Sequence, residues 1–187
     1  MGENFQFLVN RVGSNLNEAI DLLEDSSSAF VTAWQQSDFE TCHITSDVAF
    51  KNFDFIINEI LRKRDALDES CKDEYTNNFK EILAKKSAKK AEIDDITQMA
   101  SIFTIQNNGH AQLPNNQIVY ISLSRLLNTI KHRNTMQLNF RIQERNHILV
   151  IGANEYQNKP KSLVEFSVKE FCDSCREVAK LVSSKAP

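Results

Sequence analysis

The sequence is poor in residues that break helices: 4 glycines and 3 prolines stand in 187 positions. A sandwich of short strands needs turn residues at regular, close intervals, so this scarcity argues against it and for long helices. Long apolar runs are also missing. None approaches the ~20 residues that a membrane helix needs, and no membrane contact is expected. The opening MGENFQFLVNRVGSN lacks a basic start, an apolar stretch and a small-residue cleavage site in that order. Cys42, Cys71, Cys172 and Cys175 are therefore expected to be free thiols in a cytoplasmic protein. No Gly-rich phosphate loop, GxSxG elbow or HExxH pair occurs, which removes many enzyme classes, and no cofactor is expected.

Lys and Arg number 22 against 25 Asp and Glu, a net charge of −3, which predicts no general affinity for polyanions. The distribution says more. Between residues 118 and 147, Arg125, Lys131, Arg133, Arg141 and Arg145 face a single acid, Glu144. That is +4 locally, which leaves −7 for the remainder.

Apolar residues repeat at steps of three and four along much of the chain. Phe5, Leu8, Val9, Val12, Leu16, Ala19, Ile20 and Leu23 trace one helix or two, with Ser14 or Asn15 as an internal cap. Ser26-Ser27-Ser28 reads as a loop, or as the middle of one long bent helix. Thr45, Ser46 or Asp47 can open the next helix, whose stripe is Phe50, Phe53, Ile57, Ile60 and Leu61. A further helix is expected from Asp68 to Lys90, with Lys85, Lys86, Lys89 and Lys90 on its solvated face; an RNA-contacting patch is the second reading of those lysines. Helical spacing continues through Ile93, Ile96, Ala100 and Phe103. Residues 106–116 carry the signals of a loop.

Leu138, Phe140 and Ile142 then alternate with polar residues. His147 to Ile151 is apolar and β-branched, and Glu144-Arg145-Asn146 supplies a turn, so a β-hairpin is expected. Ser162-Leu163-Val164-Glu165 matches a capping box opening a last helix with Val164, Val168, Phe171, Cys172, Cys175, Val178 and Val182 inward. The Cys172–Cys175 pair lies on that apolar stripe, where thiols act as small hydrophobes; two ligands do not make a structural zinc site, and no metal is expected. The expected fold is mainly α: a helical bundle with one small β-hairpin near the C-terminus, in a single domain over residues 1–187.

The richest stretch is IVYISLSRLLNTIKHR, Ile118 to Arg133, which reads as one helix. Val119, Leu123, Leu126, Leu127 and Ile130 gather on one side, while Arg125, Asn128 and His132 line up on the other at about 0°, 300° and 340°. Ile118 and Ile121 share that polar side, which suggests cover by a second subunit. An Arg, an amide and an imidazole in one line can hold a phosphate and move a proton near neutral pH.

The segment Leu126 to Arg133 resembles the signature of the HEPN domains: an Arg, often followed by Asn, with a His four to six positions beyond it. Asn128 and His132 match. The family's Arg corresponds to Leu127, and Arg125 stands seven positions before His132. The resemblance implies a helical bundle that dimerises so that two motifs share a cleft, and a metal-independent endoribonuclease of a toxin or phage-defence system. In that reaction the RNA 2′-hydroxyl attacks the adjacent phosphate, leaving a cyclic phosphate and a 5′-hydroxyl. His132 would be the acid–base group, Arg125 the stabiliser of transition-state charge with Arg133 as a second candidate, and Asn128 a positioning group. Members that have lost the motif are binding or scaffolding modules. The alternative expectation is thus a non-catalytic helical module for a protein or nucleic-acid partner, with Lys131, Arg133, Arg141 and Arg145 on phosphates.

Overall fold

Asn15 and Asp38 decide where the first two helices begin. The Asn15 side chain, on an extended backbone, accepts the Glu18 N–H, and α1 follows as Leu16–Gln35. Asp38 accepts the Thr41 N–H and opens α2, Phe39–Asp65. Between them Ser37 turns the chain at a φ of 58°, which lets the Ser37 and Asp38 N–H groups close on the Trp34 and Ala33 carbonyls. Ser26 to Ser28 are therefore interior to one long helix, and the Ser26 hydroxyl donates back to the Leu22 carbonyl. Thr45 and Ser46 are also mid-helix; their hydroxyls donate to the Thr41 and Cys42 carbonyls instead of capping.

The computed structural model describes residues 12–67, 73–93, 100–114, 118–153 and 161–184. The apolar positions read at Phe5, Leu8 and Val9, along with Cys71 and Ile96, lie outside this set. The remaining elements are α3 (Glu74–Ala84), β1 (Lys86–Ile93), a short 3-10 turn (Ile105–Asn107), β2 (Val119–Ser122), α4 (Leu123–Lys131), β3 (Arg133–Gln143), β4 (Asn146–Ala153), β5 (Lys161–Ser167) and α5 (Val168–Ser184). They fall into two compact units: a helical one, Met1–Phe79 with Cys172–Pro187, and a sheet unit, Lys80–Phe171.

In the helical unit Ile20 and Leu23 of α1, Phe53, Ile56, Ile57 and Ile60 of α2, and Cys172, Cys175 and Val178 of α5 are buried. Arg176 fixes α5 to α1 through Asp21, at 3.0 Å, and Glu24. Burial pushes the Cys172 thiol up to about 12 and the Cys175 thiol well above its ordinary value, so both stay protonated as core side chains.

The expected bundle with one small hairpin is corrected by the sheet unit, which makes the protein α+β. Among the described residues five strands form an antiparallel sheet in the order β2-β1-β5-β4-β3. The β3–β4 hairpin supplies the two strands at one side of it, with Glu144 turning the chain at a φ of 60°. Two segments read as helix are strands. Lys86 to Lys90 lie in β1, and Ser162 to Glu165 lie in β5, so the capping box opens nothing; α5 starts later, at Val168. A third, Val119–Ser122, is β2, so the helix expected from Ile118 to Arg133 shrinks to Leu123–Lys131. Ile121, assigned to its polar side, is a buried strand residue.

Both faces of the sheet are used. On one, Val150, Leu163, Ala91 and Ile93 pack with Ile102, Ala111 and Leu113 from the segment 100–114. On the same face Asn139 donates to the Ile102 carbonyl at 2.8 Å. The other face is covered by α4, which contacts β1, β2 and β4. No helix among the described residues is long and apolar enough to cross a membrane.

Candidate nucleic-acid interface

The geometry of the basic segment starts from Ser122. It is the last residue of β2, extended at φ −72° and ψ 161°, and its hydroxyl accepts the Arg125 N–H at 3.3 Å, which starts α4. Leu123, Leu126, Leu127 and Ile130 follow the i, i+3, i+4, i+7 pattern, and all four are buried. Leu127, where the HEPN resemblance places an Arg, is fully buried.

That burial turns Arg125 outward, and it is exposed. Asn128 is half-buried, and its Nδ2 donates to the Ser124 carbonyl one turn back, at 3.0 Å. Thr129 does the same to the Arg125 carbonyl at 2.9 Å. His132 is exposed and is the C-cap of the helix, its N–H bonded to the Asn128 carbonyl. Arg125 and His132 are thus separated by two turns, a rise of ~10 Å, with the amide between them directed at its own helix.

The four other cations divide in two. Lys131 in the last turn of α4 and Arg145 at the tip of the β3–β4 hairpin are exposed. Arg133 is half-buried and its Nη1 donates to the Ile130 carbonyl at 3.0 Å, which ties it to the helix end. Arg141 is committed further. It makes a two-pronged pair with Glu165, at 2.8 and 3.0 Å, and also donates to the Ala111 carbonyl. Glu165 additionally accepts the Leu113 N–H and has Lys89 at 3.7 Å. Burial pushes this carboxyl up, but the Arg141 hydrogen bonds and charge, Leu113 and Lys89 together outweigh it and hold it below its ordinary value. Arg141 is a strut between the sheet and the segment over it.

Sheet pairing brings in cations that the helical reading had placed elsewhere. Lys86 pairs with Ser122, and Lys89 pairs with Tyr120. The Leu123 N–H donates to the Lys85 carbonyl at 2.9 Å. The backbones of Lys85 and Lys86 therefore adjoin Ser122 and Leu123, at the start of α4. Neither Lys85–Ala91 nor Ile118–Arg133 contains an acid. The lysine cluster was visible in the sequence; its partner was not, because pairing with β2 is a long-range contact.

What these features define as a class is an antiparallel α+β unit with lysines along the strand next to its β2 edge, two of them paired with Glu92 and Glu165. No family model, no curated protein and no solved structure matches the chain. Among the described residues no three His, Cys, Asp or Glu side chains are grouped to hold a metal.

Proposed function

We propose that the sheet unit is an RNA-binding module whose contact surface is the exposed side of α4 with the lysines around its first turn. The observation that carries this reading is the position of Arg125. It is the third residue after the Ser122 cap, where the helix dipole and the cap geometry both favour an acid. A cation there works against the helix, and Lys85, whose carbonyl accepts the Leu123 N–H, brings a second one to the same helix end. Lys131 extends the surface to the other end of α4. The choice of RNA as the polyanion rests on the HEPN resemblance of residues 126–133.

Binding, rather than cutting, suits the geometry in a single copy. Asn128 is turned onto its own helix, and Arg125 and His132 are two turns apart. Cleavage would require a second copy to bring the missing groups to one phosphate.

The test is fluorescence anisotropy with a labelled RNA oligonucleotide between 50 and 200 mM salt, roughly the range over which phosphate contacts are diagnostic. The wild-type protein should bind in a salt-dependent way, and Arg125→Glu/Lys131→Glu should lose at least about tenfold in affinity with a shallower salt dependence. Equal binding by the two proteins sinks the proposal. The same samples on a denaturing gel should show intact RNA; cyclic-phosphate products that vanish in His132→Ala would establish the nuclease reading instead.

A further inference from the structure

We infer that Tyr120 is a base-stacking position that makes this surface selective for single-stranded over double-stranded RNA, an inference that rests on the RNA-binding reading above. One row of paired residues crosses the whole sheet: Asn139, Val150, Glu165, Lys89 and Tyr120. These residues share a face, because directly opposed residues of antiparallel strands point the same way. The segment 100–114 covers the row at its β3, β4 and β5 positions, through Ile102 on Asn139, Val150 in the apolar cluster and Leu113 on Glu165. Tyr120, at the β2 end, keeps 59% of its surface exposed.

An aromatic ring left in water at a sheet edge contributes little to a core. Here it is also dressed with cations. The Lys86 Nζ sits over the ring, 5.7 Å from its centroid, and Lys89 is its paired neighbour, steadied by Glu165 at 3.7 Å. A largely exposed ring with an ammonium over it and a second lysine paired beside it is an arrangement that can stack a base and hold the flanking phosphates. Only an unpaired strand presents a free base face, since duplex bases are stacked inward. The route adds a second discrimination. Arg125 belongs to the helix that covers the opposite sheet face, so a ligand touching both must round the β2 edge, which a flexible strand can do and a stiff duplex cannot.

The experiment compares a single-stranded RNA oligonucleotide with its duplex on the full chain, for wild type, Tyr120→Ala, Tyr120→Phe and Arg125→Glu/Lys131→Glu. Stacking on one base predicts a loss of about tenfold in single-strand affinity for Tyr120→Ala with the salt dependence unchanged. Tyr120→Phe should bind like wild type, since the ring and not the hydroxyl stacks. Duplex affinity should be weaker and indifferent to Tyr120→Ala. If Tyr120→Ala binds single strands as wild type does, or loses duplex affinity equally, the stacking role is overturned, while a loss confined to Arg125→Glu/Lys131→Glu leaves the RNA-binding reading standing. A change of oligomeric mass in Tyr120→Ala without a change in affinity also overturns it, in favour of strand pairing between proteins. No salt-dependent binding by wild type removes both.

Discussion

Arg125 carries opposite consequences for stability and for binding, and this separates its two roles. Arg125→Glu completes a Ser-x-x-Glu box with Ser122 and places an acid in the first turn of α4. We expect a gain of about 0.5–1 kcal/mol, read as a higher urea midpoint, in the same variant that weakens RNA binding. A lower midpoint would mean that Arg125 is structural. Arg141 shows the reverse logic. Its partner Glu165 has a side chain 8% exposed, so Arg141→Ala leaves that carboxylate with the Leu113 N–H and the more distant Lys89 alone and should cost about 3 kcal/mol. Adding Glu165→Gln to Arg141→Met should recover most of that loss, because the amide still accepts the Leu113 N–H without carrying charge. His147 gives a pH dependence. Burial beside Phe140 lowers its pKa from 6.5 to about 4, so the folded state stays neutral where the unfolded state takes up a proton. Stability is then full above pH 6.5 and declines as pH falls towards 4, by about 3 kcal/mol in total. Urea titrations at pH 7 and 5 read this clear of Glu165, whose contribution is lost only at lower pH, as its depressed pKa is crossed. His147→Gln should flatten the slope.

At the scale of elements, the parts held together locally were legible in the residues. The 3.6 period gave α1, α2 and α5, Asn15 gave a cap, and the alternation of Leu138, Phe140 and Ile142 gave the β3–β4 hairpin. Strands β1 and β5 were hidden for two different reasons. At β1 the lysines at 85, 86, 89 and 90 mimic a helical face, but the strand starts at Lys86, and Ala88, Ala91 and Ile93 are its buried residues. In β5, the central strand, both faces are covered, so Leu163, Val164 and Phe166 are all buried and show no alternation. The serine and glutamate that suggested a helix cap belong to the sheet: Glu165 is the partner of Arg141. The candidate site divided in the same way. Arg125, Lys131 and Arg145 reach the surface as their polarity suggests, whereas the commitments of Arg133 and Arg141 depend on groups distant in sequence or on how the helix ends. The role argued for Tyr120 needed the β1–β2 register and could not be seen without it.

At the scale of the molecule, the sheet unit occupies one continuous run, Lys80–Phe171, whereas the helical unit is assembled from Met1–Phe79 and Cys172–Pro187. A polypeptide of residues 80–171 contains all five strands, the segment over one face and α4 over the other. It should therefore fold alone, with strand circular dichroism and a cooperative urea transition; a broad transition would show that the sheet depends on the helical unit. The strand order has a further consequence for the birth of the chain. Among the described residues the β1–β2 pair and the β3–β4 pair are bonded to each other through β5, and α5, which α1 holds by Arg176, follows directly after it. On the ribosome, every earlier element emerges before the pieces that close either unit. Until Lys161–Ser184 clear the exit tunnel, the nascent chain carries open strand edges and a half-made helical core, the features that recruit chaperones during translation.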